Sequence, residues 1–226
     1  HEISNPLAIV TAYAQRARRT IDPIEQAKLS DSLDVIIDES FRAKRIIQQL
    51  LQLTRSKSPD RLVINLADLV RNYVETFAKL PEAERVHLRV AIEPALDATI
   101  RADADELRQV LANLLTNSIR ATADVEYPLI TVRIEPRQQM LLLSVTDNGI
   151  GLDQPTITRA FEPFFTRSKS GDSPGVGLGL AITRSIVESL GGVIEIHSAG
   201  PREGASVVVA LPTAASIEKD GQVVVS

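Results

Sequence analysis

Along the first fifty residues apolar side chains recur at alternating steps of four and three, and after Pro59 that spacing gives way to short runs alternating residue by residue. The first period is the stripe of a coiled-coil helix and the second is the two faces of a strand. One chain therefore carries two folding regimes. Ser56-Lys57-Ser58-Pro59-Asp60 reads as the linker between them.

The first stripe is Ile3, Leu7, Val10, Ala14, Ala17 and Ile21. Asp22 is placed as an N-cap and Pro23 suits the first helical position, so a second helix is expected to start there. Its stripe is Leu29, Leu33, Ile36, Ser40, Ala43, Ile47 and Leu50, widened by Ile37, Leu51 and Leu53. Two such helices make an antiparallel hairpin, which cannot cover both stripes by itself; two hairpins joined as a four-helix bundle can. A homodimer is therefore expected.

Beyond Pro59, strands are expected at 62–66, 87–93, 129–135, 141–146, 193–198 and 205–211, with helices over 66–79, 103–123 and 180–190. Strand pairs lie close together late in the chain, which predicts an α+β sandwich rather than a doubly wound parallel sheet. The expected domains are 1–56, a helical hairpin, and 60–213, the sandwich, with 214–226 as a tail.

Composition narrows the functions. The chain has 226 residues, a net charge of -4, no cysteine and no Lys/Arg concentration beyond Arg16, Arg18 and Arg19. Disulfides, thiolate metal sites and a phosphate-tracking nucleic-acid surface are set aside. No apolar run approaches the roughly 20 residues that span a bilayer. A cytoplasmic, soluble piece is expected. Because it opens on a histidine in mid-pattern, it reads as a fragment, with any membrane anchor of the full-length protein lying upstream.

Three stretches carry chemistry. In DADELRQVLANLLTNSIRAT, Asp103 and Glu106 are spaced as a capping box. Glu106, Gln109, Asn113, Asn117 and Arg120 share one helical face, while Leu107, Leu111, Leu114 and Ser118 share the other. TDNGIGL follows a strand; a buried Asp147 there can accept a hydrogen bond from an exocyclic amine, and Gly149 and Gly151 let backbone approach a flat ring. GVGLGL, with Gly175, Gly177 and Gly179, opens a helix whose N–H groups and dipole favour phosphate. Separately these are a solvated face, a turn and a glycine triplet that matches neither the P-loop nor the dinucleotide fingerprint.

Their order is specific. An asparagine helix, DNGIG, FEPFF at 161–165 and GVGLGL together resemble the ATP-binding fold shared by sensor histidine kinases, gyrase, the Hsp90 chaperones and the mismatch-repair ATPases. FEPFF, with an HE-x-x-N-P opening one domain upstream, is similar to the histidine kinases of two-component systems. HEISNPLA with NSIRAT looks like their nitrogen-regulatory branch, although Ala121 stands where many relatives carry an aromatic. The resemblance covers residues 1 to about 212. It implies that Asn117 ligates Mg²⁺, with Asn113 beside the same cluster and Arg120 near the phosphates of ATP. It further implies that Asp147 reads the adenine amine, and that Gly149, Gly151, Gly175, Gly177 and Gly179 shape the pocket and the hinge of a lid between Leu152 and Gly175. Ser206 falls where relatives often carry a Thr close to adenine. Mg²⁺ chemistry suits such a site, since the ion takes oxygen ligands and leans on substrate phosphates.

His1 and Asn5 are four residues apart and share a face, while Ile3 lies ~200° from His1, so the imidazole points away from the seam. The resemblance makes His1 the phosphoacceptor. Glu2 beside it can act as the hydrogen-bonding base, and Asn5 stands where relatives orient water for dephosphorylation of a partner protein. Pro6 is expected to bend the helix past the acceptor. His87 and His197 fall in strands without metal-ligand spacing and read as structural.

The expected function is an ATP- and Mg²⁺-dependent histidine autokinase that passes its phosphoryl group to an aspartate of a response-regulator receiver domain. Two alternatives stay open: a non-catalytic ATP-binding dimeric scaffold, and an ATPase clamp of the same superfamily.

Overall fold

The structure, a computed structural model, describes residues 4–20, 33–38, 40, 41, 43, 47, 61–94, 96–166 and 177–216. The chain divides into two compact units, His1–Arg55 and Ser56–Ser226.

In the first unit, helix α1 spans Ser4–Thr20, and residues 33–38, 40, 41, 43 and 47 are helical. Ala14, Leu33 and Ile37 bury one another, with Ala17 packed against them. Ser40 is buried and donates through Oγ to the Ile36 carbonyl at 2.7 Å. This contact covers only part of the expected seam. Val10 and Ile36 were placed on it yet stand 46% and 44% exposed, whereas Ile37, expected only to widen the stripe, is buried. The reason is geometric: a stripe wide enough for a bundle has two flanks, and one chain covers only one of them. Asp22 and Pro23 lie outside the described residues, as does the acceptor past which Pro6 was expected to bend the helix; Pro6 itself falls in the first turn of α1.

The second unit runs β1 (Leu62–Asn65), α2 (Leu66–Phe77), a 3₁₀ turn (Pro81–Ala83), β2 (His87–Ile92), β3 (Thr99–Ala102), α3 (Ala104–Ala121), β4 (Leu129–Arg137), β5 (Met140–Asp147), α4 (Gln154–Arg159), α5 (Gly179–Ser189), β6 (Val193–His197) and β7 (Ala205–Pro212). β1 pairs antiparallel with β3. The other five strands form a mixed sheet in the order β2-β4-β5-β7-β6, in which only β2 and β4 run parallel.

Period-two alternation decides which face of that sheet is covered. Ile130, Val132 and Ile134 of β4, Leu141, Leu143 and Val145 of β5, and Val209 and Leu211 of β7 are buried. They pack with Leu66, Val70 and Val74 of α2, Leu107, Leu111, Leu114 and Leu115 of α3, and Val187 of α5. The result is a two-layer α+β sandwich.

Each α-helix of the second unit starts where a polar side chain accepts an otherwise unpaired N–H, or where glycine opens the turn. Asn65 accepts from Asp68 N–H at 3.1 Å, which ends β1 one residue earlier than expected. Asp103 accepts from Asp105 N–H at 2.8 Å. Glu106 Oε2, its expected capping-box partner, is instead buried without a hydrogen bond, and burial pushes that carboxyl up while nearby Arg61 pulls it down. β3 and α4 were not expected. Nor is all of 214–226 a tail: Ala214 is buried, Ser216 Oγ donates to Thr213 O at 2.7 Å, and Thr213 N–H donates to Gln139 O at 2.9 Å.

Candidate functional site

Asp147 ends β5 in phase with the buried Leu143 and Val145, so its carboxylate faces the helical layer rather than solvent. Gly149 N–H donates to Oδ1 at 3.0 Å and Ser118 Oγ donates to Oδ2 at 3.0 Å. The Ala205 N–H donates to the same carboxylate. Burial pushes the carboxyl above the ordinary carboxylate range, and these three donors partly pull it back. Ser118 was expected only as an apolar-face position of its helix; the donor it supplies becomes visible once β5 is laid against α3.

The loop after Asp147 is tied to two neighbours. Ile150 N–H donates to the Ala121 carbonyl at 2.9 Å, anchoring it to the end of α3. A β-carbon on Gly149 would lie 2.4 Å from that same carbonyl oxygen, so the approach requires glycine. On its other side, Arg202 N–H donates to Ile150 O at 2.7 Å and Gly204 N–H to Gly149 O at 3.1 Å. Ser198 Oγ accepts from Leu152 N–H at 3.0 Å and donates to Gly204 O at 2.6 Å. Gly151 (φ +61°) sits within this weave.

The polar face of α3 supplies the next groups. Asn113 Nδ2 donates to Gly179 O at 3.0 Å and to Thr183 Oγ1 at 3.2 Å, bracing the first turn of α5. Thr183 is fully buried and donates back to Gly179 O at 2.9 Å. One turn along α3, Asn117 is half-buried, and its amide has no partner among the described residues; Arg120 beyond it is exposed. Leu178, at the N-cap of α5, supplies no capping side chain, and the first turn holds no acidic residue. Among the described residues the arrangement therefore joins an acceptor carboxylate, an unpartnered amide and an uncapped helix N-terminus.

The FEPFF segment closes one side of this region. Arg159 lies over the Phe165 ring at 4.6 Å and pairs with Glu162 at 2.9 Å, while Arg184 of α5 lies over Phe161 at 5.8 Å. Gly177 (φ +73°) packs where a β-carbon would come within 2.6 Å of the Phe164 carbonyl carbon and the Phe165 carbonyl oxygen, so the ends of the segment between them meet.

The structure brings Asp147, Gly149, Gly151, Asn113, Asn117, Arg120, Gly177 and Gly179 into one unit. His1, Glu2, Gly175, the Asn5 side chain and most of the expected lid lie outside the described residues. Ser206 lies beside Asp147 on the neighbouring strand but on the other face of the sheet. It pairs across the sheet with Thr146, their hydroxyls 2.8 Å apart, and alternation puts both on the face opposite the Asp147 side chain. Its neighbour Ala205 meets Asp147 instead. Thr146 and Ser206 line a cavity of about 540 Å³ that Asp147, Gly204 and Ala205 also line, with Gln154, Ile157 and Glu203. Among the described residues no group of three or more His, Asp or Glu side chains could hold a metal alone, so a cation at this site would lean on Asn117 and on ligand phosphates.

Residues 102–215 match the family model described as "Histidine kinase-, DNA gyrase B-, and HSP90-like ATPase", and residues 1–59 match "His Kinase A (phospho-acceptor) domain". Neither description names a nitrogen-regulatory branch. Similar proteins include the signal transduction histidine-protein kinase AtoS of Escherichia coli (strain K12), 35% identical over 217 residues, covering 94% of this chain and 33% of AtoS. Full-length ShkA in complex with AMPPNP has the same fold, with a TM-score of 0.77 at 22% identity, covering 95% of this chain and 45% of that one. ThkA in complex with the response regulator protein TrrA aligns with a TM-score of 0.67 at 24% identity, covering 96% of this chain and 60% of ThkA. The chain thus spans about a third of AtoS.

Proposed function

We propose how this chain works from the premise that it belongs to the histidine kinase-, DNA gyrase B- and HSP90-like ATPase family, with a histidine-kinase phospho-acceptor domain ahead of the ATPase fold. It is the catalytic core of a sensor histidine kinase, an ATP-dependent autokinase that phosphorylates His1 and hands the phosphoryl group to an aspartate of a response regulator. The observation that carries this reading is the Asp147 carboxylate, held by three donors beside the Asn113–Asn117 face of α3 and the uncapped start of α5.

Asp147 accepts the exocyclic N–H of adenine, which only an ionised or otherwise acceptor-bearing carboxyl can do. The α5 N-terminus faces anionic oxygens favourably, and Arg120 adds charge near them. Asn117 would hold Mg²⁺ through its amide oxygen, and that ion, when bound, neutralises charge developing on the phosphates. A ring nitrogen of His1 then attacks the γ-phosphorus as the bond to the departing ADP oxygen breaks, and Glu2 hydrogen-bonds the other ring nitrogen and takes up its proton. Positioning supplies most of the acceleration. Asn5 orients water for the reverse service, dephosphorylation of the regulator.

The working unit is a homodimer. Ile9, Val10, Tyr13, Val35, Ile36 and Phe41 are all exposed in one copy, and burying each large apolar side chain is worth about 1.5–3 kcal/mol, so a second hairpin is the natural cover. No helix among the described residues is long and apolar enough to cross a membrane. Dependence on ATP and on a receiver domain places this core in the cytoplasm, whatever anchors the full-length protein.

The test is labelling with γ-³²P-ATP. The expected product is an acid-labile phosphoprotein that His1→Gln abolishes and that loses its label to a receiver domain. Label that survives His1→Gln overturns the acceptor. Normal nucleotide binding without any label points to the scaffold, and ATP hydrolysis without label points to the clamp.

A further inference from the structure

An ionised carboxylate offers about four lone-pair positions. At Asp147 three are taken by donors from three different elements: Gly149 N–H from the following loop, Ala205 N–H from β7, and Ser118 Oγ from α3. The first two are backbone donors, which no side-chain change short of proline removes. Ser118 is the one side chain, and it is only 5% exposed.

Its hydrogen bond is not the one a helical serine ordinarily makes. Such hydroxyls usually turn back to a carbonyl three or four residues earlier. Thr122, one turn later on the same helix, does so, donating to Ser118 O at 2.9 Å and to Ile119 O at 3.1 Å. Ser118 instead reaches a carboxylate 29 residues away in sequence. One lone-pair position is left for a ligand.

We infer that Ser118 is a specificity-determining positioning residue, which holds Asp147 as a pure acceptor and so selects a 6-amino purine over a 6-oxo purine. This rests on the nucleotide reading above. A 6-amino group offers an N–H to the remaining lone pair. A 6-oxo group offers only lone pairs of its own, and a buried acceptor facing an acceptor leaves both unsatisfied. Selection of this kind by an unpaired polar group is stronger than selection by shape. Without the Ser118 donor, the buried carboxyl is held by backbone alone; it then rotates or carries a proton, and a protonated carboxyl can donate to a 6-oxo group. The direction agrees with the balance at Asp147, where burial pushes the carboxyl up and Ser118 is among the groups that hold it down.

The experiment is titration calorimetry on the full chain with Mg²⁺, using ADP, GDP and pyrophosphate as probes, for the unaltered protein, Ser118→Ala and Ser118→Thr. The unaltered protein is expected to prefer ADP. Ser118→Ala should narrow the ADP-to-GDP affinity ratio by about tenfold or more while leaving pyrophosphate binding unchanged. Ser118→Thr, which keeps the hydroxyl, should restore most of the ratio. A ratio unchanged in Ser118→Ala, or lost equally in the Ala and Thr variants, overturns the role of Ser118 alone. An unaltered protein that does not distinguish ADP from GDP overturns the adenine reading and this inference together.

Discussion

The two units bury their apolar residues to different ends. In the sandwich, Leu66, Leu107, Leu111, Leu143 and Val209 are no more than 1% exposed within a single chain. In the helical unit, Ile9, Tyr13 and Val35 remain 57%, 68% and 62% exposed. A sheet face roofed by three helices closes its core by itself; two helices touching along Ala14, Leu33 and Ile37 leave a flank uncovered. One unit closes its core within a single chain, and the other leaves an apolar flank exposed.

Three perturbations separate these cases. The largest effect belongs to Leu111→Ala, which empties a fully buried position between α3 and the sheet. Chemical denaturation followed in the sandwich should show a loss of about 2–5 kcal/mol. The same truncation at an exposed apolar residue of the helical unit should leave the sandwich transition unmoved, and equal losses at both would erase the distinction. Next comes Ile36→Asp, which places a charge on the uncovered flank. Sedimentation should report a dimer weakened by at least the ~1.5–3 kcal/mol of lost burial, with the sandwich still folded.

The smallest effect is expected at Asp147→Asn, where binding and stability should part. Folding raises the Asp147 pKa above its unfolded value. The folded state therefore holds that proton more tightly. Any stability from it is fully present below the ordinary carboxylate range and is lost as pH rises through the folded pKa. At neutral pH the ionised carboxylate is thus a cost, and Asn, which keeps one acceptor for Gly149 N–H, should melt slightly higher than the unaltered protein. That advantage should shrink as pH falls. Nucleotide binding should weaken at every pH, because the amide has one acceptor oxygen where the carboxylate has two, and Gly149 N–H already draws on it. A variant that both binds and melts as before would remove Asp147 from the site.

Much of the architecture is visible in residue order. Alternation at Ile130, Val132 and Ile134 marks β4 and its inner face, and Asp103 announces the start of α3. What escapes notice lacks period or length. β3 is four residues, too short for alternation to stand out. α4 is six residues with none buried, marked only by Asp153 as N-cap and Pro155 in its first turn, two signals that could have found it. At the site, Asp147, Gly149, Asn113 and Gly179 stand out because glycine and amide spacing is itself chemical. Ser118 and Ser198 do not, since one looks like a core-facing helix position and the other like an ordinary turn residue.

By itself, then, the order of residues determines the two folding periods, the longer strands and helices, and the motif set that marks an ATPase of this family, because each depends on local spacing. Tertiary structure decides which flank of the helical stripe is covered and that Ser206 faces away from Asp147. It also decides that the aspartate is held from three sides. Those outcomes depend on which strand lies beside which and on donors brought together from distant segments, and no local pattern encodes such a meeting.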